Sequence, residues 1–242
     1  MAHGYSDDGL CWTAMAKELE GNYNVILPDA RGFGRTDPPS KNEPVDIQVE
    51  DLAGFINALE IINPILLGHS MGSASVAWFA ARYPEVPRAS ILVDPRLVSR
   101  PTPANAPSKT EETAATEKRV AAILKRNNTS YEELFNDQME RNPHFGFTEL
   151  HFWALSKQLY HPNTAYRSAD LRPNMSDLFE KTICPTLILK ADDQDELRSQ
   201  NEEVASTLDH GRLIHVAGAG HSVHRDQPEL FLEALNTFLE KL

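Results

Sequence analysis

A serine hydroxyl becomes a useful nucleophile only when a base takes its proton, and the base needs an acid to hold it in the right tautomer. This sequence supplies all three in chain order. Ser70 lies in Gly68-His69-Ser70-Met71-Gly72, Asp192 is the first acid after Ala191, and His221 ends Ala217-Gly218-Ala219-Gly220-His221. Such a set would transfer an acyl group: serine attacks a carbonyl, histidine shuttles the proton, and aspartate orients the imidazole. A Gly-x-Ser-x-Gly motif alone arises by chance in roughly one chain in ten of this length, so its setting decides. It follows the apolar run Pro64-Ile65-Leu66-Leu67 and opens an alanine-rich stretch that ends before Pro84, which reads as strand, tight turn, helix. The flanking glycines keep side chains out of the turn, and the helix start offers N–H groups and a favourable dipole to a developing oxyanion. The acid stays open among neighbours: Asp192 leads, with Asp193, Asp195 and Asp94, at the end of its own apolar run, as alternatives.

Elements of matching length must position these residues. Short, continuously apolar runs at 25–29, 65–67, 90–94, 186–191 and 212–216 read as strands covered on both faces of a parallel sheet. Helical periodicity lies between them, at 11–19, 48–59, 70–83 and 229–239; Val49, Leu52, Phe55, Ile56 and Leu59 share one face of the second. This alternation predicts a doubly wound, mostly parallel α/β sheet with right-handed crossovers. Between Asp94 and Cys184 the alternation stops. A proline-rich linker at 101–108 precedes helices near 111–126, 130–141 and 148–159, a break at 170–174 containing Pro173, and a short helix at 176–181. So long an all-helical insertion is read as a cap over the carboxyl ends of the strands. The division is then 1–95 and 183–242 for the core and 96–182 for the cap.

Together these motifs resemble the α/β-hydrolase family with a helical cap, which includes carboxylesterases, lactonases, carbon–carbon bond hydrolases and cofactor-free haloperoxidases. The resemblance rests on His3-Gly4-Tyr5, Pro28-Asp29-Ala30-Arg31-Gly32-Phe33-Gly34-Arg35-Thr36, Gly68-His69-Ser70-Met71-Gly72, Cys184-Pro185-Thr186-Leu187-Ile188-Leu189 and Gly218-Ala219-Gly220-His221. It implies an oxyanion hole from the backbone N–H groups of Met71 and Tyr5. It also implies two or three strands before the His-Gly turn, so the N-terminal strands of the fold are expected to be missing here. Many members carry the acid where this chain has Gln194; a shorter loop places it at Asp192.

The net charge of −12 repels phosphate backbones and anionic membranes, which argues against nucleic-acid and membrane partners. Two cysteines exclude a disulfide framework. His221 and His224 lack a third ligand nearby, so neither metal nor cofactor is expected. Arg31-Gly32-Phe33-Gly34-Arg35 lacks the ending of a phosphate loop and reads as a structural turn, with Asp29 and Arg31 as a local ion pair. His3, His69, Phe145 and Trp153 are candidate substrate contacts, although packing within the cap also accounts for its aromatic residues. The reading is a cytoplasmic serine esterase acting on a small, largely apolar carboxylic ester, with a homodimer compatible. Carbon–carbon cleavage of a diketone acid or lactone opening uses the same triad, and a perhydrolase side activity is compatible. A non-catalytic receptor that keeps the pocket is the alternative from another class.

Overall fold

The computed structural model describes residues 1–98, 108–166 and 172–242. Among these, strands β1 (Ile65–His69), β2 (Ala89–Val93), β3 (Thr186–Lys190) and β4 (Gly211–His215) form one parallel sheet in the order β1-β2-β3-β4. The alternation of side chains explains why β1 to β3 are apolar through their middles. Leu67, Ile91, Val93, Leu187 and Leu189 point to one face, where Trp12, Met15 of α1 (Thr13–Leu19) and Phe231 with Leu235 of α10 (Pro228–Leu239) pack on them. Leu66, Leu92 and Ile188 point to the other, against Val49 and Ile56 of α2 (Ile47–Ala58), Val76 and Phe79 of α3 (Met71–Arg82) and Leu178 of α7 (Met175–Phe179). Each fully buried aliphatic side chain contributes about 2 kcal/mol, so burial on both faces selects continuous apolar runs.

The run at 25–29, read as a strand, joins no ladder among the described residues. Between it and β1 lies the start of the chain, where Ala2 bridges to Gly68 and the Met1 nitrogen donates to the Ile26 carbonyl at 2.6 Å. One bridge on one side and one hydrogen bond on the other do not make a ladder. Helix α8 (Asp195–Ala205) and the one-turn α9 (Val223–Asp226) were not legible, because the first is largely polar and the second too short to show a period.

Helices α4 (Lys109–Asn127), α5 (Tyr131–Arg141) and α6 (Phe147–Ser156) follow β2. Ser108 and Ser130 begin the first two by accepting hydrogen bonds from the Glu111 and Glu133 N–H groups. Helix α6 packs against α1 and the turn Gly9–Trp12. The 101–108 linker lies almost wholly outside the described residues, as does the start of the 170–174 break. No helix among the described residues is long and apolar enough to cross a membrane.

Two glycines let the strand-to-helix turn close. A Cβ on Gly68 would sit 2.4 Å from the Gly72 backbone, and one on Gly72 would sit 2.4 Å from the Ala2 carbonyl oxygen. Neither contact can be relieved by a side-chain rotation. Gly68→Ala is therefore expected to destabilise the fold by about 1–3 kcal/mol, as overpacking does, read as a lowered denaturant midpoint.

Candidate active site

Ser70 stands between β1 and α3 with φ 51° and ψ −107°, a region that L residues enter only under constraint. Its N–H donates to the Val93 carbonyl at 2.9 Å, and its carbonyl accepts from the Ser73 hydroxyl at 2.6 Å. These bonds fix the turn and aim the side chain off the sheet edge. Ser70 Oγ lies 3.0 Å from His221 Nε2. His221 Nδ1 lies 2.5 Å from Asp94 Oδ2.

The acid beside the imidazole is thus Asp94, and the expectation for Asp192 is corrected. Asp192 is exposed; Oδ1 pairs with Arg198 at 3.0 Å and Oδ2 accepts the Gly218 N–H at 2.9 Å. That N–H, with Arg198, holds its carboxyl below the usual range. Asp192 ties down the glycine-rich loop and leaves His221 to another group. Asp193 is also occupied elsewhere, accepting from Asn201 at 2.8 Å, and Asp195 opens α8. Asp94 has φ 43°, and its N–H donates to the Leu189 carbonyl at 2.7 Å. This bend swings its carboxylate across the end of β3. Burial alone would push the Asp94 carboxyl up; the His221 hydrogen bond and the Lys190 charge outweigh it and bring the value down to about 2.

The segment 2–5 lies directly over the start of α3. Ala2 N–H donates to the Leu67 carbonyl at 2.7 Å, and the Ala2 carbonyl accepts from His69 N–H at 3.0 Å. Met71 opens α3, where the first N–H groups have no carbonyl partner within the helix. The Tyr5 side chain turns outward, with its ring edge against Phe33 and its hydroxyl 3.4 Å from Thr164 Oγ1.

His3 and His69 are buried, and His3 also lines a cavity of about 410 Å³ with Met71, Gly72 and Ser75. His3 Nδ1–H donates to the Gly4 carbonyl at 2.8 Å while Nε2 accepts the Ala30 N–H at 2.9 Å. Both nitrogens are committed to one neutral tautomer, and burial lowers its pKa. His69 Nε2–H donates to the His221 carbonyl at 2.9 Å, holding the loop that carries His221. Burial, then the nearby His221, lower the His69 value to about 4. His224 lies against Trp12, the ring centroids 4.3 Å apart and the planes tilted by 31°. Phe145, by contrast, lines a cavity of about 630 Å³ together with His221, Gln138, Asn142 and His144. Trp153 does not line it; its ring carries the Lys157 ammonium at 4.8 Å. Asp29 and Arg31 are not partners. Asp29 accepts the Gly9 and Arg35 N–H groups, and Arg31 makes a two-pronged pair with Asp51.

Sequence reasoning missed a buried ionic network under the site. Lys157 Nζ lies 2.5 Å from Asp7 Oδ1, Arg225 Nη2 is 2.9 Å from Asp7 Oδ2, and Arg225 Nε is 2.9 Å from Glu149 Oε2. All four residues are buried. Burial alone would raise the Asp7 carboxyl, but Arg225 and Lys157 override it and hold it far below the usual range. Lys190 was missed too, although a lysine ending a fully buried strand signals a buried carboxylate partner.

A parallel sheet flanked by helices, with a strained serine at a strand-to-helix turn and a histidine 3.0 Å away, defines the hydrolase class of α/β proteins. The chain belongs to the alpha/beta hydrolase family, whose sequence model it matches over residues 1–234. It is 26% identical over 253 residues to a putative 2-succinyl-6-hydroxy-2,4-cyclohexadiene-1-carboxylate synthase of Bacillus subtilis (strain 168), covering 99% of this chain and 89% of that protein. It is 24% identical over 252 residues to the 2-(acetamidomethylene)succinate hydrolase of Mesorhizobium japonicum, covering 98% and 86%. Among solved structures, a thermophilic esterase from Thermogutta terrifontis is similar at a TM-score of 0.72 and 26% identity, over 99% of this chain and 88% of that one. Membership and these relatives support a hydrolase.

The depressed Asp7 carboxyl contributes stability that is complete above its unfolded value near pH 4 and is lost as pH falls further. Asp7→Asn should cost about 3–5 kcal/mol at pH 7, as breaking a buried pair does. It should also flatten the acid-side fall in unfolding free energy. Urea unfolding between pH 7 and pH 3 reads both.

Proposed function

We propose that this chain is a serine hydrolase that cleaves a small carboxylic ester. The observation that carries the reading is the line from Ser70 Oγ through His221 to Asp94, with spacings of 3.0 and 2.5 Å. Ser70 Oγ attacks the ester carbonyl while His221 Nε2 takes its proton, and Asp94 holds the resulting imidazolium. The oxyanion faces the N–H of Met71 at the start of α3 and the N–H of Tyr5, whose segment rests against that turn. His221 returns the proton to the departing alcohol. Water then attacks the acyl-serine and gives its proton to His221; the carboxylic acid leaves and Ser70 regains its hydrogen. No step needs a cofactor or a metal.

The 96–182 segment acts as the cap in this reading, and helix α5 with the turn after it faces the base. Phe145 supplies an apolar wall, while Gln138, Asn142 and His144 supply polar groups. This mixed lining favours a small, largely apolar ester that also carries a polar group. The Mesorhizobium relative, named for a succinate, points the same way.

A fluorophosphonate probe tests the reading. The native protein should be labelled at Ser70 and Ser70→Ala should not; a folded native protein that takes no label overturns it. With a reporter ester, Asp94→Asn should lower kcat by about 10³–10⁴-fold, the cost of a lost orienting carboxylate. Asp192→Asn should retain most of the activity. The reverse pattern would return the acid to Asp192.

A further inference from the structure

Lys190 is the last residue of β3, and all five residues of that strand are buried. An ammonium taken out of water costs several kcal/mol unless it is paired, so its surroundings must be built for it. Lys190 Nζ lies 2.5 Å from Asp94 Oδ1, 3.2 Å from the Pro95 carbonyl and 3.5 Å from Asp193 Oδ2. The Ala191 N–H also reaches Asp94 Oδ1, at 3.2 Å. Asp94 Oδ2 is the oxygen against His221. The two oxygens of one carboxylate therefore serve the Lys190 ammonium and the His221 imidazole.

Resting on the serine-hydrolase reading, we propose that Lys190 is a positioning residue that sets how far into acid the site stays active. An unshared Asp94 carboxylate would favour the imidazolium, and a protonated His221 cannot take the Ser70 proton. A permanent positive charge on the far oxygen reduces the negative field that the imidazole feels, so the base stays free to lower pH.

The other groups around His221 do not duplicate this charge. His69 at the end of β1 and His224 on α9 are kept neutral by burial. Arg225 on α9 is committed to Asp7 and Glu149. Asp226, also on α9, accepts the Gly220 N–H at 2.9 Å and faces His144 of the insertion at 3.4 Å. Asp193 lies behind Lys190 and opposes it. Among the described residues, Lys190 is thus the cation in direct contact with Asp94.

The test is the rate of fluorophosphonate labelling of Ser70 as a function of pH. Lys190→Met should move the acidic limb upward by roughly half to one pH unit, the scale of a neighbouring charge, while Lys190→Arg should keep the limb near its native position. Asp193→Asn should move it the opposite way, because the opposing charge behind Lys190 is removed. A folded Lys190→Met protein with the native limb overturns the proposal, as does Lys190→Arg shifting as far as Lys190→Met. Should Lys190→Met fail to fold, Asp193→Asn decides, and an unmoved or raised limb counts against it. A labelled native protein with unresponsive variants sinks this inference alone, whereas a folded native protein without label sinks the serine-hydrolase reading and this inference with it.

Discussion

Parallel pairing in register is the constraint from which the site follows. His69 stands opposite Val93, and Val93 opposite Leu189. The residues just past these ends, Ser70, Asp94 and Lys190, therefore stand in a row on one edge of the sheet. Polar chemistry is confined there for a physical reason. Along the strands both faces are apolar, and a charge placed among them would be buried without a partner. Only at the carboxyl ends do backbone turns and incoming loops supply hydrogen-bond partners. His221 arrives last, on the loop after β4, which is held where Asp192 N–H meets the Ala219 carbonyl and Val216 N–H meets the Lys190 carbonyl.

The two strained residues of this row serve the same geometry. Ser70 and Asp94 both have positive φ, and each N–H bonds to the neighbouring strand, to Val93 and Leu189 respectively. The sheet thus continues for one residue past its assigned ends and holds the strain in place. Each side chain is turned off the strand direction toward the space above the sheet, where the imidazole lies. The strain and the hydrogen bonds that bear it belong to one device, used twice on adjacent strands.

Much of this was legible from local pattern. Apolar runs at 65–67, 90–94 and 186–191 became β1 to β3, and the glycines around Ser70 marked the turn. The carboxylate partner of His221 was not, because choosing between Asp94 and Asp192 depends on which loop crosses which strand end. Both follow an apolar run that ends beside the same loop; the contact of Asp94 with His221 and the pairing of Asp192 with Gly218 N–H and Arg198 separate them. The run at 25–29 shows the opposite failure, since its composition is that of a strand while pairing depends on a neighbour. The ionic network could not be read at all, because Asp7 and Arg225 are 218 residues apart in the chain.

That network also bears on how such a molecule can be recombined. Glu149 and Lys157 belong to the helical insertion, whereas Asp7 and Arg225 belong to the sheet-bearing part. Exchanging the insertion for that of a relative would carry two charges across the breakpoint and strand the other two in a dry interior. A viable chimaera would have to transplant all four together, or replace all four with apolar side chains at once. The insertion is contiguous in the chain, but it is not a modular cassette.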